Sequence, residues 1–279
     1  MTRILKWIGL GAAGLLVAAI LVGAACEQVA RVNASRKFGA PGRMVSVDGR
    51  DIQIDCRGQG SPTVVFESGL DVFGSLSWAA VHDSVAMTTR ACAYSRAGIM
   101  WSGQPTGSFT SSGVARDLRM ALTAAKEAGP FVMVAHSLGG PYVMTFTGLY
   151  PEDVAGVVLV DASHPDQVAR LEKATGTSMT PPTGMLAFGS AMARTGLIRM
   201  LVGDLAPAPA PPLVHEATAA FAPTSLSAVL GEARAVQSSF QSAGQYRNLG
   251  DRPLIVLTAM AELSGGTSPE CGVSATGVA

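Results

Sequence analysis

Hydrophobic positions follow different rules in different stretches of the chain. From Trp7 to Ala25 the sequence WIGLGAAGLLVAAILVGAA carries no charge, with Arg3 and Lys6 before it and Glu27 and Arg31 after it. Such a run approaches the ~20 residues needed to span a bilayer and exceeds the core of an ordinary signal peptide. We read residues 1–30 as a membrane anchor with 7–25 in lipid. Cleavage after the small residues Ala24 and Ala25, or lipid attachment at Cys26, are the alternatives. Basic residues stand on both sides, so charge does not orient the segment. Its likeness to a signal sequence places the bulk of the chain outside the cytoplasm.

From Arg43 onward, short β-branched runs alternate with helical stretches, the pattern of an α/β sheet with crossovers. Met44–Val47 and Ile52–Cys56, joined by Asp48-Gly49, predict a hairpin. Thr63–Phe66, Ala91–Tyr94, Phe131–Ala135, Val154–Val160 and Pro253–Thr258 are apolar on both faces and predict mostly buried strands. A helix is expected over Ser77–Ala86. Another starts near Ser112, presents Val114, Leu118, Leu122 and Ala125 on one face, and stops at Gly129-Pro130. Residues 167–247 break the alternation; they are rich in Met, Ala and Pro, with APAPAPP at Ala206–Pro212, and read as an inserted helical cap. The chain therefore divides into the N-terminal segment and one α/β domain over 43–279.

Composition narrows the function. The 279 residues are 48% hydrophobic and 14% charged, and twenty Lys and Arg balance twenty Asp and Glu. With no net positive field, nucleic acid is excluded as a partner. The four cysteines, Cys26, Cys56, Cys92 and Cys271, include no CxxC pair, and the four histidines form no HExxH pattern. Neither a metal nor a cofactor is expected.

The informative stretch is FVMVAHSLGGPYVMTF, Phe131–Phe146: a buried strand, then Ala135-His136-Ser137-Leu138-Gly139, then a helix with Pro141 in its first turn. A serine in a sharp strand-to-helix turn needs small residues two before and two after it, because the two backbones pass closely. Ala135 and Gly139 meet that need. The turn exposes the hydroxyl, and the helix N-terminus aims backbone N–H groups at developing negative charge.

On this elbow, on VVFESGLD at Val64–Asp71, on ACAYSRAGIMWS at Ala91–Ser102 and on VVLVDASHPDQ at Val157–Gln167, the chain resembles the α/β-hydrolase superfamily, in its serine esterase or aminopeptidase branch. The resemblance runs from about Arg43 to Ala259. It implies a mostly parallel sheet with helices on both faces and a helical cap. Ser137 would be the nucleophile, and the backbone N–H groups of Leu70 and Leu138 the oxyanion hole. The implied substrate is a small hydrophobic ester or amide, which the Met-rich cap also favours. Ser95 stands where the family has Asp and Met100 where it has Gly, two departures in the loop around Arg96 and Trp101. The resemblance also sets the strands of Cys56 and Cys92 side by side, so the two are expected to lie close together; in an oxidising compartment geometry decides whether they bond, and Cα atoms more than ~7 Å apart would preclude it.

The family's late histidine has no counterpart. After Ser137 the histidines are His164, directly after a strand, and His215, in the cap; His136 adjoins the serine but points away from its hydroxyl, and His82 is expected in solvent on an early helix. His164 is retained as an alternative base. Only 21 residues follow Thr258, and Ser264–Ala279 shows neither strand nor helix periodicity, so the fold's last strand and helix are expected to be missing, as in a truncated or frame-shifted chain. For the triad acid, Asp161 follows the strand after the elbow helix, and Glu262 follows the next strand. The competing functional reading is a catalytically dead homologue or ligand-binding module that keeps the pocket without the base.

Overall fold

The computed structural model describes residues 2–107, 109–176, 181, 183–201 and 212–259. Its strands are β1 (Arg43–Val47), β2 (Arg50–Arg57), β3 (Thr63–Glu67), β4 (Ala91–Tyr94), β5 (Phe131–His136), β6 (Val154–Val160) and β7 (Leu254–Leu257). The helices are α1 (Thr2–Lys37), α2 (His82–Ala86), α3 (Ser111–Ala124), α4 (Gly139–Leu149), α5 (Gln167–Thr175), α6 (Thr183–Ala193), α7 (Leu197–Leu201) and α8 (Pro212–Ala243). The strands form one seven-stranded sheet in the order β1-β2-β4-β3-β5-β6-β7. β1 and β2 pair antiparallel, as do β2 and β4; every other neighbouring pair is parallel.

The apolar runs are buried on both faces because helices cover both. On one face Val65, Met133, Ala135 and Val157 pack with Leu118, Ala121 and Leu122 of α3 and with Val143 and Phe146 of α4. On the other, Phe66, Ala93 and Val134 pack around Trp78. Alternate residues of one strand thus feed opposite layers. At α3, the Thr110 side chain accepts a hydrogen bond from the Gly113 amide at 3.1 Å, satisfying one of the free donors of the first turn. The β1–β2 turn has positive φ at Asp48 and Gly49, the conformation that Asp-Gly serves in two-residue hairpins.

Cys56 and Cys92 face each other across the β2–β4 pair and form a disulfide, with Cα atoms 4.0 Å apart.

Three sequence expectations need correction. The helix expected over Ser77–Ala86 divides into a 3₁₀ turn at Gly74–Trp78 and the short α2. His82 is not solvated: it is buried, and its Nε2 lies 2.9 Å from the Ala91 carbonyl oxygen. The strand near Pro253 is not buried either. β7 is the sheet's edge among the described residues, with Leu254, Ile255 and Val256 exposed.

Helix α1 runs well past the apolar segment, over 36 residues. Its apolar window has a mean hydropathy of 2.3 and no part of it buried, long and apolar enough to cross a membrane by length and composition. Beyond it the helix docks on the domain. Ala34 and Phe38 are buried with Val72, Met100, Ala217 and Phe221, and the Trp101 indole N–H donates to the Phe38 carbonyl oxygen at 2.9 Å. Helices α5–α8 fall between β6 and β7, the interval in which the alternation breaks in the sequence.

Candidate active site

Strand β5 delivers Ser137 to a turn with φ of 50°, and α4 begins two residues later. A non-glycine residue in the left-handed region costs on the order of 1–2 kcal/mol, and the surroundings hold it there. The Ser137 carbonyl oxygen accepts from the Gly140 amide at 3.0 Å and from the Ser163 amide at 2.8 Å, tying the turn to its own helix and to the loop after β6. The small residues are required by distance. A Cβ at Gly139 would stand 2.7 Å from the Glu67 carbonyl oxygen, and one at Gly140 would stand 2.7 Å from that of Ser163. Ala135 is wholly buried between β3 and β6.

The loop after β3 reaches the same turn. A Cβ at Gly69 would lie 3.1 Å from the Ser137 Cβ, so the Leu70 backbone runs beside the serine. The Leu70 and Leu138 side chains share one apolar cluster with Tyr142, Val236 and Phe240. Neither the Leu70 nor the Leu138 amide donates to another protein group among the described residues.

What fixes this loop is a buried ionic cluster that the sequence did not reveal. The Arg96 guanidinium donates to Glu67 at 2.7 Å, to both oxygens of Glu232 at 2.7 and 2.8 Å, to the Ser68 carbonyl at 2.9 Å and to the Gly69 carbonyl at 2.5 Å. Tyr94 donates its hydroxyl proton to Glu67 at 2.5 Å. Burial raises the pKa of Glu67 and of Glu232 above the usual carboxylate range, against the pull of Arg96; Arg96 itself is held firmly protonated by the two carboxylates against its own burial. Asp71 accepts from the amides of Phe73 and Gly74 and from the Ser77 hydroxyl, which shapes the rest of the loop.

The two departures from the family's loop are accommodated. Met100 takes the left-handed conformation with φ of 51° without a glycine, and its amide donates to the Ser225 hydroxyl at 2.9 Å. Ser95 donates to Gln53 Oε1 at 2.7 Å and accepts from the Ser75 amide at 3.2 Å.

Of the remaining candidates, Asp161 and His164 line one open cleft with Ser137, together with Ser163, Gln167 and Arg170. Asp161 directly follows β6 with φ of 44° and is exposed. The His164 Nδ1 accepts the Asp166 backbone N–H at 3.1 Å. A neutral ring that accepts at Nδ1 carries its proton on Nε2, so Nε2 has no lone pair to take a proton from serine. Nor is Asp166 free to orient it: Arg247 binds that carboxylate at 2.6 and 2.9 Å, holding its pKa down at about 2. The His136 ring stands edge-on to Trp78, 6.5 Å between centroids, and His215 sits in the first turn of α8, outside the cleft. Glu262 lies outside the described residues. One group of metal-ligand residue types occurs among the described residues, Cys56, Cys92 and Glu127. Its sulfurs are joined in the disulfide, and Glu127 is bound by Arg90 at 2.6 Å.

A mostly parallel sheet with a serine on a strained strand-to-helix turn, opposite a glycine loop, is the architecture of the α/β-hydrolase fold. The sequence model for the alpha/beta hydrolase fold matches residues 65–181, in keeping with the α/β-hydrolase fold of the structure. Among solved structures it resembles the haloalkane dehalogenase DatA of Agrobacterium tumefaciens C58, with 20% identity, 78% of each chain covered and a TM-score of 0.57. It also resembles Cfl2 of Burkholderia cenocepacia, with 22% identity, 77% of this chain and 78% of the other covered, and a TM-score of 0.59. Both likenesses are to the fold. Among curated sequences, an uncharacterized protein of Schizosaccharomyces pombe is 43% identical over 75 residues, 26% of this chain. The uncharacterized protein YbdG of Bacillus subtilis is 24% identical over 127 residues, 45% of this chain. The chain spans 14% of the yeast protein and 39% of the Bacillus protein.

Proposed function

We propose that this chain is a membrane-anchored serine hydrolase of the α/β-hydrolase fold, built for acyl transfer from a hydrophobic ester or amide to Ser137, and lacking within itself the base that would drive the reaction. The observation that carries this reading is the left-handed turn at Ser137 between β5 and α4, a conformation held at a cost and of use in exposing a nucleophile. Asp161 in the cleft is the acid of the site, and the Leu70 and Leu138 amides, with no acceptor among the described residues, are the oxyanion donors. The apolar start of α1 is the anchor.

The missing step is removal of the Ser137 proton. His164 is the histidine that lines the cleft with Ser137, yet its Nδ1 accepts a backbone N–H, the opposite of a triad histidine, which donates Nδ1–H to a carboxylate and accepts at Nε2. Turnover of p-nitrophenyl esters is therefore expected near the residual level of binding and an oxyanion hole, roughly 10³–10⁴-fold over water. Free imidazole supplies the absent base: it should raise the rate of the unaltered chain well above that of Ser137→Ala, whose response measures imidazole's own hydrolysis of the ester. Equal responses would defeat the assignment of Ser137. A substantial rate without imidazole, lost in both Ser137→Ala and His164→Ala, would show instead that His164 is the base.

A further inference from the structure

We infer that the corner joining α6 to α7, with the outer face of α6, is a lipid-contacting surface that lies in the membrane interface beside α1. The inference rests on α1 being the membrane anchor and extends it to the cap.

The corner is attached to α1 inside the apolar run itself. A Cβ at Gly23 would collide with the Thr195 carbonyl oxygen, and one at Gly196 would stand 3.1 Å from the Gly23 carbonyl oxygen. Two glycines thus let the backbones of α1 and the corner touch within residues 7–25. One helical turn further along α1, Glu27 is buried; Arg199 of α7 donates to both its carboxylate oxygens at 2.8 and 3.0 Å, and Arg31 donates at 3.0 Å. The contact therefore fixes both the depth and the rotation of the corner on the helix. If Gly23 lies in lipid, Thr195 and Gly196 lie at its boundary.

The composition of α6 suits that position. TGMLAFGSAMA contains no charged residue. Leu186 packs toward the cap interior, and Ser190 and Ala193 are buried, a face repeating at helical spacing. The opposite face presents Met185 and Phe188, 70% and 66% exposed, with open space at Gly189. Leu197 is exposed at the start of α7, and Arg194 beside it is exposed as well, the pairing of apolar and basic groups that interfacial helices use. Exposed large apolar side chains joined to a membrane-spanning surface form one continuous lipid-facing patch. From Glu27 to Lys37 the helix rises roughly 15 Å, and its end packs on Val72 of the oxyanion loop. The catalytic cleft is thereby held a short, fixed distance above the bilayer, where an apolar acyl substrate is concentrated.

Fluorescence quenching in vesicles tests this. In the full chain with Cys26→Ser and Cys271→Ser, single cysteines at Phe188→Cys, Leu197→Cys, Leu15→Cys and Met87→Cys are labelled with an environment-sensitive nitrobenzoxadiazole dye. All four positions are exposed, so the substitutions leave the core intact. The labelled chain is reconstituted in phosphatidylcholine–phosphatidylglycerol vesicles with a spin label on the phosphatidylcholine acyl chain. The labels at 188, 197 and 15 should lose most of their emission, and the label at 87 should not. Labels at 188 or 197 as bright as the label at 87, with 15 quenched, would overturn the surface and leave the anchor standing. A bright label at 15 would overturn the anchor and the surface together. Blue-shifted but unquenched emission at 188 would mark a protein contact, a second copy of the chain, and would also overturn it.

Discussion

Replacing Arg96 by methionine tests whether the buried cluster holds the loop after β3. Arg96 is 4% exposed, Glu67 1% and Glu232 0%, so the change leaves two carboxylates in the interior with their shared cation gone. Methionine keeps the bulk of the stem, which isolates the charge. Removing one partner of a buried ion pair costs about 3–5 kcal/mol, a large share of the 5–15 kcal/mol typical of a domain. Urea denaturation of the detergent-solubilised chain, followed through Trp78 and Trp101, reads the loss. The pH dependence is the sharper check. Burial raises both carboxyl pKa values and Arg96 opposes it, so without Arg96 both rise further. A carboxyl whose folded pKa is raised stabilises the fold fully below its unfolded value, 4.5, and loses that contribution as pH rises through the folded value. The penalty of Arg96→Met should therefore be small in acid, grow with pH above that range, and shrink again on adding Glu232→Gln. A loss below about 1 kcal/mol at neutral pH, or one independent of pH, would refute the reasoning.

Opening the Cys56–Cys92 disulfide, which closes a sequence separation of 36, should lower stability by about 4 kcal/mol on the chain-entropy estimate, measured by comparing urea midpoints of the chain and its Cys56→Ser, Cys92→Ser double variant. Because Ser137 has φ of 50°, Ser137→Gly should be more stable than Ser137→Ala by about 0.5–1 kcal/mol, the left-handed penalty less the entropy of glycine; thermal denaturation of both variants decides it. Residues 7–25 should hold the chain to membranes through high-salt washing, since apolar burial is insensitive to ionic strength, and release of full-length chain by salt would reject the anchor.

The turn at Ser137 was legible in the sequence because a strand-to-helix elbow is a local problem. A serine in a tight strand-to-helix turn demands small neighbours at fixed offsets, and Ala135 and Gly139 stand at those offsets, with Gly139 tolerating no Cβ against Glu67. The hairpin at Asp48-Gly49 was legible for the same reason, since a few adjacent residues decide backbone conformation; α3, expected to run to Gly129-Pro130, instead ends at Ala124, with Lys126 in the left-handed region at φ of 58°. The disulfide was legible only through the family likeness, which supplied a strand neighbour 36 positions away.

What the tertiary structure decided depends on distant partners. Nothing near Arg96 foretells that Glu232, 136 positions on, will neutralise it. His82 sits on a short polar-looking helix yet is buried, because the Ala91 carbonyl is there to meet its ring. β7 is as apolar as the central strands but is exposed at the sheet's edge among the described residues, since burial belongs to a strand's place in the sheet rather than to its composition. The tautomer of His164 is set by the backbone of Asp166, and the depth of the cap beside α1 by a glycine pair and one ion pair. Local sequence determines which conformations are open to a segment; only the assembled chain determines which polar groups lose water, and therefore what each one can do.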